Sequence, residues 1–427
     1  MSIDFYKEFG ELGYLANYSN HGFYKDNVYY KTVEHFYQAS KFDNKKIKEK
    51  IINCSTPKEA SNIGRDRNNI RIANFKDIKL DVMYEGIYLK FTQNKDIRSK
   101  LIETRNNQIR EMSVKESFWG IGPNLDGENH IGIILEKVRD QVKKDVLNNI
   151  INNCRNKKVY IIGHHKPDAD SIFSAYILSN ILKSLGIDAV FSVRDEELVD
   201  KELIDDYLKE DYEVIDDYND KHFILVDHNN LDGIPKENVI GAIDHHRITN
   251  DVDELIEIEY ASCLLLIYDL FKDIYKFDEK EKKLIALSVL SDTEYLTSSR
   301  FTSEDQSLYK ELNVSINENE LRKKYFKTTD FSNNIKDNLY KDYKEYDFHN
   351  KHIKRSLIKS YSKDKDEYYD SYTNSMKSNI INLLIWCDYE KLITYFNYNG
   401  INLTYPSFTT STYLILDYLE KQKYLSK

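Results

Sequence analysis

The sequence predicts an α/β protein in three parts: an α-rich N-terminal domain, a doubly wound parallel sheet, and a smaller α+β C-terminal lobe. The chain has 427 residues, which at roughly 150 residues per domain corresponds to about three domains. From residue 159 onward, short apolar runs alternate with helical patterns, as in parallel sheets with crossover helices. We therefore place the domains at residues 1–142, 157–313 and 325–427.

Charge and composition exclude several classes of protein. Asp and Glu (71) outnumber Lys and Arg (61), and residues 195–220 alone contain thirteen acidic and two basic side chains. The rest of the chain is nearly neutral, so an overall basic, nucleic-acid-binding surface is not indicated. Hydrophobic content of 41% with only 14 glycines and 5 prolines is typical of a globular protein.

The expected location is the cytoplasm. The apolar runs are shorter than the roughly 20 residues that span a bilayer, and the start MSIDFYKEFG has neither a basic nor an apolar segment. The four cysteines are far apart and form no CxxC pair, which is typical of a reducing compartment. We expect no membrane segment, and the oligomeric state stays open.

In the N-terminal domain the residues alone leave two interpretations open. Thr32 can cap a helix whose residues Val33, Phe36 and Tyr37 face inward, which places Glu34 in the first turn. A glutamate there is either stabilised by the helix dipole or catalytic. Likewise, Trp119 suits a core position or a stacking contact, and the GRDR segment suits a solvated loop or a phosphate clamp.

Four ordered segments of this domain carry a resemblance. GYLANYS, TVEHFYQASKF, SNIGRDR and FWGIGPNLDGENHIG resemble the NADAR family of YbiA-like N-glycosidases across essentially the whole domain. The resemblance implies cleavage of an N-glycosidic bond in a phosphoribosyl or ADP-ribosyl compound. Glu34 would be the essential carboxylate, Trp119 a stacking residue, Asp126 and Asn129 contacts near the ribose, and Arg65 a phosphate contact. One ionised carboxylate can steady an oxocarbenium-like centre or activate water.

The middle domain has the clearest alternation of strands and helices. Strands are predicted at residues 159–163, 189–193, 223–227 and 239–244, and helices from Asp170 or Ser171 to Leu185 and at 196–209, 262–275 and 279–290. The polar interval at 143–158 is expected to be a helix tail with a linker, and the one at 313–324 is expected to be a second domain boundary.

Histidines and carboxylates follow the predicted strands of this domain. His164, Asp168 and Asp170 come after the first strand, Asp227 ends the third and His245 follows the fourth. Ligands of doubly wound sheets bind at the carboxyl ends of the strands. Singly, these residues also fit helix caps or loop positions. Together with Asp292 in LSDTEY, they favour Mn²⁺, Mg²⁺ or Co²⁺ over structural zinc, in a site for two metal ions.

The same segments carry a second resemblance. GHHKPDADS, VDHN, IDHHR and LSDT resemble, in order, the four motifs of the DHH phosphoesterase superfamily. IDHHRITN and SDTEYLTSSRFTSED are most similar to manganese-dependent family II inorganic pyrophosphatases. The resemblance implies two Mn²⁺ ions, phosphate contact by His246, and a substrate-closing C-terminal lobe whose TTDFSNN and KDYKEYDF segments include the phosphate-binding Lys344. The implied metal ligands are His164, Asp168, Asp170, Asp227 as a bridge, His245 and Asp292.

One departure from the pyrophosphatase pattern bears on the substrate. The family has a serine-arginine-lysine-lysine stretch near its C-terminus, whereas residues 394–427 contain LTYPSFTTSTY and no such stretch. Two cations for a second phosphate are therefore missing, unless Lys421 or Lys423 replaces them. We expect an organic phosphate or diphosphate to be preferred to inorganic pyrophosphate.

The sequence thus predicts a bifunctional hydrolase of small phosphorylated ribosides or diphosphates. Two alternatives come from other functional classes. One is a sensor that binds an ADP-ribose-like ligand without turnover. The other is removal of ADP-ribosyl groups from nucleic-acid bases in repair or defence, which the charge distribution does not favour.

Overall fold

The structure is a computed structural model that describes residues 2–246, 252–296, 298, 301–325, 329, 331, 333–341, 343–348, 351–360, 365–376, 382–389, 391–406 and 412–424. Parts of the IDHHRITN, SDTEYLTSSRFTSED, TTDFSNN, KDYKEYDF and LTYPSFTTSTY segments lie outside these residues. The chain forms two compact units. The first comprises residues 1–160, 182–190 and 217–259, and the second 161–181, 191–216 and 260–427.

The N-terminal domain is rich in helix, as predicted. Its elements are β1 (Ser2–Phe5), β2 (Phe23–Lys25), β3 (Val28–Tyr30), α1 (Val33–Ala39), α2 (Lys45–Ile52), α3 (Pro57–Arg65), α4 (Phe75–Gln93), α5 (Lys95–Glu103), β4 (Gln108–Glu111) and α6 (His130–Asn153). Strands β1 and β4 pair in parallel, and β2 and β3 form a hairpin.

Local sequence explains where the helices of this domain begin. The Thr32 side chain accepts a hydrogen bond from the backbone N–H of His35, which confirms the predicted cap of α1. Every residue of α1 is buried, so even its polar side chains face the interior. Helix α3 begins with a capping box between Thr56 and Glu59.

A six-stranded sheet follows, with strand order β10-β9-β8-β5-β6-β7, and confirms the predicted α/β class. Its elements are β5 (Lys158–Ile162), α7 (Ala169–Ser184), β6 (Asp188–Val193), α8 (Lys201–Tyr207), β7 (Glu213–Val214), β8 (His222–Val226), β9 (Val239–Asp244), β10 (Leu255–Glu257), α9 (Cys263–Phe271), α10 (Glu279–Asp292) and α11 (Ser303–Glu311). The pairs β10–β9, β9–β8 and β6–β7 are parallel.

Three details of this region differ from the sequence prediction. Helix α8 begins at Lys201 rather than at 196, because the backbone N–H of Val199 donates to the carbonyl of Pro167 and holds the preceding segment outside the helix. The cap of α7 is Asp168, whose side chain accepts from the N–H of Ser171. The short strands β7 and β10 were not predicted, since two or three residues give no periodic signal.

Helix α6 continues well beyond residue 142. It ends at Asn153, so the interval at 143–158 contains a helix tail, as predicted, and the predicted boundary falls inside a helix. Near its end, α6 contacts β9. A Cβ atom on Gly241 would lie 2.7 Å from Cγ1 of Ile150. The two elements are therefore too close at this point for any side chain larger than hydrogen unless neighbouring atoms shift.

The C-terminal lobe combines helices with a mixed sheet. Its elements are α12 (Glu318–Tyr325), α13 (Ile335–Lys341), β11 (Tyr343–Phe348), β12 (Lys351–Ser360), α14 (Lys365–Ser375), β13 (Leu383–Asp388), β14 (Ile393–Tyr398), β15 (Ile401–Thr404) and α15 (Thr412–Lys421). The strand order is β11-β12-β13-β14-β15, with only β12–β13 parallel among these pairs. Apolar clusters that include Trp386 and Phe396 form its core. Within the described part of the chain, every helix is too short or too polar to cross a bilayer.

Candidate active sites

Glu34 lies in a cavity of about 550 Å³ in the N-terminal domain. Its side chain is supplied by the first turn of α1, and the residue is only 6% exposed. Gln38, one helical turn later, donates from Nε2 to Oε1 of Glu34 over 2.7 Å and lines the same cavity. A catalytic carboxylate has to be held in a fixed position within a cavity. The carboxyl group of Glu34 is held in this way.

The surroundings of Glu34 set its protonation. Burial raises the pKa of the Glu34 carboxyl, while the hydrogen bond from Gln38 and the positive charges of Lys41 and Arg65 lower it. Burial and the nearby Arg71 lower the pKa of the Lys41 ammonium to about 8. Lys41 and Arg65 both line the cavity, so a carboxyl group and two cationic groups share one space.

A second carboxyl group, that of Glu111, lines this cavity. It lies at the end of β4, whose parallel pairing with β1 fixes the backbone. Burial, with the negative charges of Glu116 and Glu34, raises the pKa of Glu111 to about 7. A Cβ atom on Gly120 would lie 2.6 Å from the carbonyl oxygen of Glu111, so the glycine after Trp119 leaves room for this strand end.

A buried lysine holds the loop that forms another wall of the cavity. Lys90 on α4 is fully buried, and its Nζ donates to the carbonyl oxygens of Tyr14 and Ala16 and to Oγ of Ser19. Residues 16–18 of this loop line the cavity. Burial lowers the pKa of Lys90 to about 7. Three acceptors satisfy its three donors, which explains how the group is tolerated in the interior.

Trp119 contributes an aromatic wall. Its ring lies edge-on to Tyr37, with centroids 5.6 Å apart and an interplanar angle of 88°. Both residues line the cavity. An aromatic face held by such packing can stack against a flat ring of a ligand.

In the first unit, the predicted metal ligands Asp227 and His245 lie together with His246, the predicted phosphate contact. One ligand atom each from Asp227, His245 and His246 lies within 4.8 Å of the other two. Nε2 of His245 is 3.1 Å from Oδ1 of Asp227, and both side chains are almost completely buried. A carboxylate with two imidazoles is a donor set that suits a divalent transition-metal ion, so these residues fit the metal that the sequence predicts.

The backbone around this cluster is shaped by Asp227 and Asp244. Asp227 directly follows β8 with a φ of 61°, a left-handed conformation that Asp tolerates better than most residues. Asp244, at the end of β9, accepts from the backbone N–H groups of His245 and His246 and lies 2.9 Å from Nδ1 of His246. Asp244 therefore fixes the backbone at both histidines and orients the ring of His246.

The other predicted ligands belong to the second unit. Nε2 of His164 is 3.8 Å from Oδ1 of Asp168, on the loop between β5 and α7. Asp195 shapes this loop by accepting from the N–H of Lys166 and contacting the His165 ring. The same two contacts lower the pKa of the Asp195 carboxyl.

Asp170 is completely buried and accepts several hydrogen bonds. Its carboxyl oxygens accept from the N–H groups of Cys263 and Leu264 at the beginning of α9, and from the hydroxyl of Ser288 on α10. These contacts join α7, α9 and α10. Asp170 thus has a structural role in addition to the ligand role that the resemblance implies.

Asp168 and Asp292 line a second cavity, of about 590 Å³, within the second unit. Asp292 is the last residue of α10. The same cavity is lined by Glu294 and by Lys359 of β12, so it contains both carboxylates and a cation from the C-terminal lobe.

Comparison with known proteins identifies the first domain. Residues 4–143 match the family model of the NADAR domain. An N-glycosidase of Nostoc punctiforme is 37% identical over 146 residues, which cover 34% of this chain and 94% of the relative. The chain belongs to the NADAR domain family. N-glycosidase YbiA of Escherichia coli is 31% identical over 140 residues, 33% of this chain and 88% of YbiA.

A DHH domain follows the NADAR domain. Residues 158–291 match the family model of the DHH family N-terminal domain. Among solved structures, a Methanococcus jannaschii protein described as a candidate family II inorganic pyrophosphatase is similar, with 20% identity, a TM-score of 0.36, and coverage of 58% of this chain and 93% of that chain. An exopolyphosphatase-related protein of Bacteroides fragilis has 18% identity, a TM-score of 0.40, and coverage of 60% and 82%.

Three predicted substrate contacts lie outside the lining of these two cavities. In the NADAR domain, Asp126 is exposed, and the side chain of Asn129 bonds to the backbones of Ile109 and Glu111. In the C-terminal lobe, Lys344 is exposed on the edge strand β11. Their roles stay predictions.

Sequence reasoning missed several residues of the cavities. Gln38 and Lys41 follow Glu34 by four and seven residues, so the helical spacing itself contained the signal. Glu111 and Lys359 had no such signal. They lie on strands far from the other cavity residues in sequence, and only the folded chain places them there.

Proposed function

We propose that the chain is a bifunctional hydrolase. Its NADAR domain would cleave a ribosyl N-glycosidic bond, and its DHH domain would hydrolyse a phosphoester or phosphoanhydride with divalent metal ions. The observation that carries the first activity is the buried Glu34 carboxyl in a cavity that also contains Lys41 and Arg65. The second is supported by the cluster of Asp227, His245 and His246.

The NADAR cavity provides the groups that glycoside hydrolysis needs. The ionised carboxylate of Glu34 would stabilise positive charge at the anomeric carbon or accept a proton from the attacking water. Arg65 and Lys41 would bind a substrate phosphate, since both are cationic groups of the cavity. Glu111, with its raised pKa, would retain a proton that it can donate to the leaving group.

In the DHH domain, His164, Asp168, Asp170, Asp227, His245 and Asp292 would hold two divalent ions. Mn²⁺ is our first choice, with Co²⁺ or Mg²⁺ as alternatives. Bound ions there would supply Lewis acidity and a nucleophilic hydroxide. Asp244 would hold the backbone of His245 and the imidazole of His246 in place through its hydrogen bonds.

The two activities can share one substrate class. Hydrolysis of an ADP-ribosylated compound adds water across the N-glycosidic bond and frees ADP-ribose. ADP-ribose contains a diphosphate linkage, to which a metal-dependent phosphoesterase can add a second water molecule. We therefore propose phosphorylated or diphosphorylated ribosides as substrates.

Metal dependence is the first test. Hydrolysis of ADP-ribose to AMP and a ribose phosphate, and of pyrophosphate to inorganic phosphate, by the purified protein should require Mn²⁺ or Co²⁺. Asp227→Ala should remove most of that activity, because a bridging carboxylate serves both ions. The measurement is the initial rate with metal and with excess chelator. Full activity in chelator would refute the two-metal proposal, and binding of ADP-ribose without turnover at either site would favour a sensor instead.

A further inference from the structure

Three lysines line the cavity at the beginning of the C-terminal lobe. Lys201 and Lys324 form ion pairs with Asp205 and Asp206 of α8, and the third, Lys359, has no assigned role. Asp168 and Asp292, two predicted metal ligands, line this cavity together with Lys359 of β12. Carboxylates that hold metal ions and a lysine in the same space form a suitable environment for a phosphate group, which needs cations on more than one side.

Lys359 is held in place by a short chain of contacts. Its Nζ donates to Oε1 of Glu294 over 2.6 Å, and the hydroxyl of Tyr389 donates to Oε2 of the same carboxylate. About a quarter of the Lys359 side chain is exposed (26%). An ammonium group has three N–H donors, and one of those of Lys359 is directed to Glu294.

Glu294 belongs to an unusual segment of backbone. Glu294, Tyr295 and Leu296 have φ angles of 47°, 59° and 64°, and consecutive left-handed conformations are unfavourable for residues other than glycine. Hydrogen bonds from the N–H of Tyr295 to the carbonyl of Leu290, and from the N–H of Leu296 to Oγ1 of Thr293, hold this turn. Since Asp292 lies two residues before Glu294, the turn fixes Glu294, and through it Lys359, relative to a predicted metal ligand.

We propose that Lys359 contacts the substrate phosphate in the DHH site, and that Glu294 and Tyr389 position it. This inference rests on the proposed phosphoesterase activity. The basic stretch of the pyrophosphatases is missing from residues 394–427, and Lys344 is exposed on β11 outside the cavity. Lys359 would therefore supply the positive charge that those residues supply elsewhere, as a compact ammonium suited to phosphate.

The experiment uses the full chain with Mn²⁺, with pyrophosphate and ADP-ribose as substrates and inorganic phosphate as an inhibitor. Lys359→Met should raise KM and the inhibition constant of phosphate by roughly tenfold or more, since a hydrogen bond to a charged group is lost. The Mn²⁺ concentration for half-maximal rate should stay the same. Lys359→Arg should keep most of the phosphate affinity, and Tyr389→Phe should show a smaller loss.

Lys351→Met is the matched control, because Lys351 lies on the same strand β12 outside the cavity. It should leave KM and phosphate inhibition unchanged. If Lys359→Met does not fold, Lys359→Gln takes its place with the same expectation. Wild-type protein without metal-dependent hydrolysis of either ADP-ribose or pyrophosphate would overturn the proposed function. An active wild type with unchanged KM and phosphate inhibition in the Lys359 variants, or with the loss in Lys344→Met instead, would overturn only this inference.

Discussion

Glu34 and Glu111 line the same cavity but have different surroundings. Glu34 accepts a hydrogen bond from Gln38 and is near two cationic groups. For Glu111, burial and the negative charge of Glu116 are the main influences, and they raise its pKa to about 7. Burial raises the pKa of both carboxyl groups, and the hydrogen bond and cationic groups near Glu34 favour its ionised form, which suits it to the role of base.

Glu34→Gln should abolish glycosidase activity while the domain stays folded. The substitution keeps the size of the side chain and removes its negative charge, so the transition state loses its stabilising carboxylate. Loss of such a group reduces the rate by about 10²- to 10⁴-fold. The measurement is base or ribose release together with the circular dichroism spectrum. Wild-type turnover in the variant would show that Glu34 is not the catalytic residue.

Glu111 should make the stability of the first domain depend on pH. Its pKa is raised from 4.5 to about 7 in the folded protein. The protonated carboxyl is therefore favoured in the folded state. Its contribution to the free energy of unfolding is fully present below pH 4.5 and is lost as the pH rises towards 7. The full shift corresponds to roughly 3 kcal/mol at most.

The measurement for Glu111 is the melting temperature between pH 4.5 and 8. Glu111→Gln should flatten this profile, whereas Glu11→Gln, at an exposed position outside the cavity, should leave it as in the wild type. An identical profile in wild type and Glu111→Gln would contradict the assignment.

Among the elements, α6 has two roles. It packs against α4 and β4 of the NADAR domain, and the Tyr88 hydroxyl of α4 donates to Oδ2 of Asp145 on α6. The last turns of α6 contact β9. The buried side chains of Val146, Leu147 and Ile150 belong to this second part. The helix therefore joins the NADAR domain to one part of the DHH sheet by packing, and not only by chain connection.

Gly241→Ala should destabilise the full-length protein through this contact. The new Cβ would lie 2.7 Å from Cγ1 of Ile150 and 2.8 Å from the carbonyl oxygen of Glu254, and overpacking of this kind costs about 1–3 kcal/mol. Thermal melting is the measurement. Ile150→Val in combination should recover part of the loss, so that the two effects are not additive. If the effects of the two substitutions on stability were strictly additive, α6 and β9 would not be in repulsive contact at Gly241.

At the scale of the whole molecule, the two proposed hydrolytic activities have a chemical connection. A glycosidase that frees ADP-ribose produces a compound with a diphosphate linkage, which a phosphoesterase in the same chain could then hydrolyse. Residues 394–427 lack the basic stretch of the pyrophosphatases, which would otherwise supply two cations for a second phosphate. Both observations favour an organic substrate for the DHH domain.

The ratio of kcat/KM for ADP-ribose to that for inorganic pyrophosphate should therefore exceed one at equal Mn²⁺. This ratio reports differential binding of the two transition states. Nucleoside diphosphates and ribose phosphates complete the panel. If kcat/KM for pyrophosphate were tenfold above that for every organic compound, the DHH domain would be an ordinary pyrophosphatase instead.

The sequence by itself determined the fold class and the family resemblances, and it supplied the candidate residues on which the proposals rest. These follow from local features: the Thr32 cap, the strand–helix alternation after residue 159, and motifs such as GHHKPDADS that place histidines and carboxylates at strand ends. Each feature lies within a few neighbouring residues. A pattern of that length can therefore be interpreted without knowing the fold.

Only the tertiary structure decided which distant side chains share a cavity. Glu111 reaches the space around Glu34 because β4 pairs with β1, and Lys90 supports the same space from α4. Lys359 enters the cavity of Asp292 through its bond to Glu294. The raised pKa of Glu111 has the same origin, because burial and the proximity of other charges are properties of packing and leave no periodic pattern in the sequence.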